Sequence, residues 1–199
     1  MVPLKVLVVR ATGKLGQSMA KLDQELGLTV KKLAAMHIGD AANAQAVLIA
    51  ASGVAAVLNC VGANAAVALA VAHNTAICRS KSVKLIHVAA TTNVLSDDRK
   101  TFMWEHYAKT WVGAKHAFQD HLAAINAIKA ENINFVVFCP GWMHPAPSGS
   151  NSKPPVQVRV NRLSGDHISY EDAAFVMVDA MEKREWDKLL ITASTDMLT

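Results

Sequence analysis

Short apolar runs alternate with amphipathic stretches along most of the chain. Val6-Leu7-Val8-Val9 is apolar without a break, the pattern of a central parallel strand buried on both faces; the strand is read as Leu4–Val9. Behind it, Leu15, Met19, Leu22 and Leu26 recur on one face of a helix between polar positions. Further strands are expected at 28–33, where Thr29 and Val30 are β-branched, and at 35–38, 55–59, 84–89, 134–138 and 188–193. Helical spacing covers 43–51, 64–79, 107–130 and 171–182, and the Pro-, Ser- and Gly-rich segment 140–155 reads as a loop. Strands alternating with helices predict an α/β chain with a doubly wound parallel sheet in three layers, α/β/α, formed by a single domain over 1–199. Ligands of such sheets bind beyond the carboxyl ends of the strands. That nominates Arg10–Gly16, Asp40-Ala41, Cys60–Ala63, Ala90–Asn93 and Pro140–Met143.

Composition narrows the partners. The chain has 199 residues, 52% of them hydrophobic, and a formal net charge of +4. The basic residues are dispersed, so no nucleic-acid surface is expected. Three cysteines, Cys60, Cys78 and Cys139, form no CxxC pair. Their odd number argues for a reducing compartment, and a cytoplasmic location is expected. The N-terminus lacks a signal-peptide pattern. The Ala/Val-rich stretch Val54–Ala72 is interrupted by Asn59, Gly62 and Asn64, which disfavours a membrane span. The histidines show no HExxH spacing, and His116 with Asp120 is too little for a metal site. No metal is expected; oligomeric state is left open.

The segment with the most chemistry is Arg10-Ala11-Thr12-Gly13-Lys14-Leu15-Gly16. A strand, a glycine turn and a helix start aim backbone N–H groups and the positive end of the helix dipole at one spot, which suits phosphate. The dinucleotide fingerprint has three glycines. Here the first is Arg10. Either the side chain fills the phosphate turn, or its guanidinium meets the pyrophosphate and replaces lost amide contacts.

Four motifs together resemble the atypical short-chain dehydrogenases/reductases of the NAD(P)H-binding type, the group of biliverdin/flavin reductases and NmrA-like nucleotide sensors. They are the turn 11–16, His37-Ile38-Gly39-Asp40, the run from Asn132 to Gly141, and His167-Ile168-Ser169-Tyr170-Glu171-Asp172-Ala173-Ala174. The resemblance implies a Rossmann fold and an NADP cofactor, with NAD possible. It places Arg10, Thr12, Gly13, Lys14, Leu15, Gly16, Asp40, Ala41, Gly62, Ala90, Thr91, Lys115, Pro140 and Trp142 at the cofactor. It makes Thr92 and His121 the candidate catalytic residues. Lys31 and Lys32 stand where an acid would read an NAD ribose, which favours a 2′-phosphate if they reach the site.

The wider superfamily's Tyr-x-x-x-Lys is altered. Tyr107 is followed four residues on by Trp111, and Lys115 lies four beyond that, one stripe if 107–130 is a single helix. Trp142 and Met143 are expected to wall a pocket for a flat substrate. The expected function is an NAD(P)H-binding oxidoreductase acting on a small molecule such as a flavin, quinone or carbonyl compound. The alternative is a nucleotide-sensing or partner-binding protein without turnover.

Overall fold

The computed structural model describes residues 5–26, 29–33, 43–62, 66–96, 100–146 and 155–195, without the side chains of 23–33 and 66–69. In chain order the elements are β1 Lys5–Val9, α1 Lys14–Leu26, β2 Thr29–Leu33, α2 Ala44–Ala50, β3 Ala56–Asn59 and α3 Ala66–Lys81. Then come β4 Lys84–Val88, α4 Met103–Tyr107, α5 Ala114–Ala130, β5 Phe135–Pro140 and β6 Trp142–His144. The last are β7 Gln157–Val160, β8 His167–Ser169, α6 Tyr170–Glu182 and β9 Leu189–Ser194. Seven strands form one sheet in the order β2-β1-β3-β4-β5-β9-β7. Neighbours run parallel from β2 to β9, and β7 closes the edge antiparallel to β9.

The two-residue period of the strands divides the core. Leu7, Val9, Val57, Leu85 and Val137 face one way, onto Val71 of α3 and Ile125 and Ile128 of α5. Val6, Val8, Leu58, Ile86, Val136 and Phe138 face the other, onto Leu15 and Met19 of α1 and Met177 of α6. Every residue of β3, β4 and β5 is buried. That is why these strands read as mostly apolar runs, with Asn59, Lys84 and His87 as buried polar exceptions. The chain steps from β1 outward to β2 and returns on the other side with β3. The sheet's switch point therefore lies between the carboxyl ends of β1 and β3, where open α/β sheets hold their ligands.

Two expectations are corrected. The single helix over 107–130 is broken into α4 and α5 by a turn. Trp111 N–H and Thr110 N–H both donate to the Tyr107 carbonyl, and the Thr110 hydroxyl does so too, at 3.3 Å. A hydroxyl that competes for helix carbonyls favours termination. The Trp111 indole then folds over Gly113, where a Cβ would lie 2.8 Å from its Nε1. The 140–155 loop is also not all loop. Its first residues form β6, which pairs parallel with β8 as Trp142↔His167, Met143↔Ile168 and His144↔Ser169. The short strand expected at 35–38 lies outside the described residues.

Candidate functional site

The turn after β1 is built around a left-handed residue. Arg10 has φ 61°. A side chain there costs about 1 kcal/mol, the reason glycine is the relaxed choice. The Gly13 N–H donates back to the Arg10 carbonyl at 3.1 Å, and the Gln17 N–H to the Gly13 carbonyl at 2.8 Å, which starts α1. Gly16 is required by the protein itself. A Cβ there would sit 2.5 Å from the Arg10 carbonyl oxygen and 2.7 Å from Ala11 Cα. Thr12 is exposed, and its carbonyl accepts from the Gln17 side chain at 2.9 Å.

The Arg10 side chain crosses from β1 to the segment after β3. Its Nη1 lies 3.2 Å from where a Gly62 Cβ would be. Cys60 stands in the same place. Burial pushes its thiol up to about 12, against the pull of the Arg10 guanidinium, so it is an inert thiol. Beneath lies a cleft of about 330 Å³ lined by Arg10, Gly13, Lys14, Leu15, Gly16, Cys60, Gly62, Val88, Ala89, His121, Met143 and Tyr170. No carboxylate lines it among the described residues, while Arg10 and Lys14 do. The Lys14 ammonium also lies 5.8 Å from the centre of the Tyr170 ring. Two cations and the N-terminus of α1 give the cleft a positive field that would attract an anion.

A second cavity of about 150 Å³ adjoins it, with Ala89 and Met143 lining both. Ala90, Thr91, Thr92, Pro140 and Trp142 are brought together here with Tyr107, Trp111 and Gly141. Its outer wall is aromatic. The Trp142 ring meets Trp111 at 5.3 Å and Tyr107 at 6.2 Å between ring centres, both edge to face. The Tyr107 hydroxyl donates to Asp166 Oδ1 at 3.1 Å. Gly141 lets the β5–β6 corner press against the same segment, since a Cβ would lie 2.7 Å from the Asp166 carbonyl. Thr92 is buried, and its hydroxyl donates to Asn93 Oδ1 at 3.1 Å; Asn93 Nδ2 in turn donates to the Phe118 carbonyl at 2.9 Å. The hydroxyl proton of Thr92 is thus spent inside the protein, leaving its oxygen as an acceptor.

His121 projects from α5 into the cleft and is 4% exposed. Burial lowers its pKa to about 4 against the opposing pull of Asp120, so the ring is neutral near pH 7. Lys115 is not brought to either cavity; its ammonium lies 6.0 Å from the Trp104 ring centre. The broken helix is the cause, because the stripe linking Tyr107 to Lys115 does not exist. Lys31 and Lys32 pair through their backbone with Leu7 and Val8. Asp40 and Ala41 lie outside the described residues. The sequence reading nominated the segment Cys60–Ala63 but missed Tyr170 and Asp166 as site residues. Tyr170 was within reach, since it follows Ser169, whose hydroxyl caps α6 by accepting from the Asp172 N–H at 3.0 Å. Among the described residues there is no group of three or more His, Cys, Asp or Glu placed to hold a metal, and no helix long and apolar enough to cross a membrane.

A family model described as NAD(P)H-binding matches residues 11–184. No curated protein matches the chain by sequence. Solved structures match its fold. A candidate exported protein from Burkholderia pseudomallei is 19% identical with a TM-score of 0.82, over 96% of this chain and 99% of that one. A candidate NADH-flavin reductase from Streptococcus pneumoniae TIGR4 is 16% identical with a TM-score of 0.75, again over 96% and 99%. A short-chain dehydrogenase/reductase from Veillonella parvula DSM 2008, solved with NADP, is 12% identical with a TM-score of 0.72, over 96% and 94%. At such identities the likeness is one of fold.

Proposed function

The chain belongs to the NAD(P)H-binding family, and from that premise we propose that it is a reductase that holds NADP(H) in the larger cleft and a flat acceptor, such as a flavin, quinone or conjugated carbonyl compound, in the smaller one. One observation carries this reading. A cleft at the switch point of the sheet, lined among the described residues by Arg10 and Lys14 and by no carboxylate, shares Ala89 and Met143 with an apolar cavity walled by Trp111, Trp142 and Tyr107. The first has the chemistry of a dinucleotide's phosphates. The second has that of a planar ring.

The residues present fit the cofactor. Gly13 lines the cleft, and a Cβ on it would meet protein atoms only at 3.4 Å and beyond, so its bareness serves close approach of a ligand more than packing. Arg10 and Lys14 offer charge-assisted hydrogen bonds to phosphate, and the α1 amides offer neutral ones. The cofactor supplies a hydride when bound. The chain's part is to orient the two rings and to wall the acceptor with Trp142 and Met143; the proton comes from solvent. His121, neutral and cleft-lining, offers a hydrogen bond rather than a proton; Thr92 serves as an acceptor that orients the substrate.

Calorimetric titration with NADPH and with NADH, followed by NADPH oxidation assayed with flavin and quinone acceptors, tests the proposal. Micromolar NADPH binding with turnover of a flat acceptor supports it. Absence of heat with both nucleotides overturns it, and binding without turnover across the acceptors leaves a nucleotide sensor.

A further inference from the structure

Behind His121, inside the protein, lies a second histidine that the proposed function does not use. His87 is on β4, is fully buried, and its ring centre is 6.1 Å from that of His121. It pairs across the sheet with Asn59 of β3. The Asn59 amide is oriented by the backbone, because its Oδ1 accepts from the Val61 N–H at 3.3 Å. Its Nδ2 is therefore the atom 3.1 Å from His87 Nδ1. An amide nitrogen donates only, so His87 Nδ1 is an acceptor and the ring's one proton sits on Nε2.

That Nε2–H is fully enclosed and has no partner among the described residues; the same is true of His121 Nδ1. Two orphaned nitrogens on adjacent buried rings would each cost about 1–3 kcal/mol. With the ring centres 6.1 Å apart, one water between the two nitrogens would give each a partner. A water can accept from both rings, or accept from one and donate to the other; in an enclosed site the second arrangement leaves fewer of its own O–H groups unpaired. With His87 Nε2–H as the donor, that arrangement makes His121 Nδ1 an acceptor and puts the proton of the neutral His121 ring on Nε2.

We propose that His87 is a positioning residue: through Asn59 and a bridging water it holds His121 in the tautomer that presents an Nε2–H donor to an acceptor oxygen of the nucleotide in the cleft. The ligand half of this statement rests on the proposed function; the tautomer half does not. Burial lowers the pKa of His87 to about 3, with a smaller contribution from His121. The chain of donors therefore keeps its direction throughout the neutral range.

Long-range proton–nitrogen spectra of the apoprotein, labelled with nitrogen-15 histidine and assigned through the backbone, read the tautomers without any ligand. The expected result is an unprotonated Nδ1 and protonated Nε2 on both rings at pH 7. A proton on His121 Nδ1, or a charged His121, overturns the relay. Two variants then test its use. His87→Phe removes the donor and is expected to let the Nδ1–H form of His121 appear and to weaken NADPH binding roughly fivefold to tenfold, the worth of one neutral hydrogen bond. His87→Gln can place an amide donor at the Nε2 position, and is expected to restore both readouts; it also serves if His87→Phe fails to fold. The wild-type tautomer with unchanged NADPH affinity in His87→Phe overturns the donor role. If the wild type binds no NADPH, the functional reading has failed, while the apoprotein spectra still decide the relay.

Discussion

Replacing Arg10 by glycine separates two effects that the structure sets in opposite directions. The backbone at this position is left-handed, φ 61°, which costs a non-glycine residue about 1–2 kcal/mol. Glycine removes that strain but adds freedom to the unfolded chain, worth about 0.5–1 kcal/mol. Stability should therefore change by no more than about 1.5 kcal/mol, a shift in Tm of roughly 3–6 °C at most for a chain of this size. Binding should move much further. The guanidinium reaches across the cleft to Gly62, where the proposed nucleotide would bring its pyrophosphate to the α1 amides. A hydrogen bond to a charged group contributes about 1.5–3 kcal/mol, so Arg10→Gly should weaken NADPH binding roughly 10- to 150-fold. Arg10→Asn, which also tolerates the left-handed region, should lose the same affinity. Calorimetric titration at two salt concentrations, beside thermal unfolding, reads both quantities. The wild type should lose affinity faster with salt than either variant. Equal or tighter NADPH binding by Arg10→Gly would refute the argument and make Arg10 an obstruction in the turn.

Three further outcomes follow from the geometry. His87 and His121 are held by burial at about 3 and about 4, below their unfolded value of about 6.5. The unfolded state then binds more protons in between, so their stabilising contribution is full above about pH 6.5 and is lost as pH falls through the folded values. Urea unfolding from pH 7.5 to 4.5 should show His87→Gln losing stability less steeply than the wild type, by up to about 1.4 kcal/mol per pH unit; parallel slopes would contradict a neutral buried ring. Gly16→Ala puts a Cβ against the backbone of Arg10 and Ala11 and should cost about 1–3 kcal/mol, seen in chemical denaturation, with an undisturbed midpoint counting against the close approach. Trp142→Ala removes a wall of the smaller cavity and leaves the larger cleft's lining intact; KM for a flat acceptor should rise roughly fivefold or more while NADPH affinity holds, and a matched loss of both would place the nucleotide against Trp142.

The fold was legible where burial is two-sided. β1, β3, β4 and β5 bury every side chain or nearly so, so their sequence carries little but apolar residues between turn signals. The glycine turn was legible because two glycines stand where an apolar strand gives way to a helix: Gly16 for the close approach of the Arg10 and Ala11 backbone, Gly13 with its bare face on the cleft. What sequence periodicity missed is decided by tertiary contacts. Tyr107, Trp111 and Lys115 have helical spacing, yet the indole of Trp111 turns back over Gly113 and the helix ends. β6 and β8 are three residues each, too short to carry a period, and exist because Gly141 lets Trp142 approach Asp166 and His167. His87 reads as one polar residue in an apolar strand; only the side-by-side register of β3 and β4 gives it Asn59 as a partner.

The shared lining of the two cavities has an order built into it. Where they meet, the boundary consists of one methyl group and one thioether, Ala89 and Met143. A guest in the larger chamber therefore touches the same two side chains as a guest in the smaller one. For the proposed reductase the expectation is sequential loading, nucleotide before acceptor, with the size of residue 89 setting how much of each guest the other can feel.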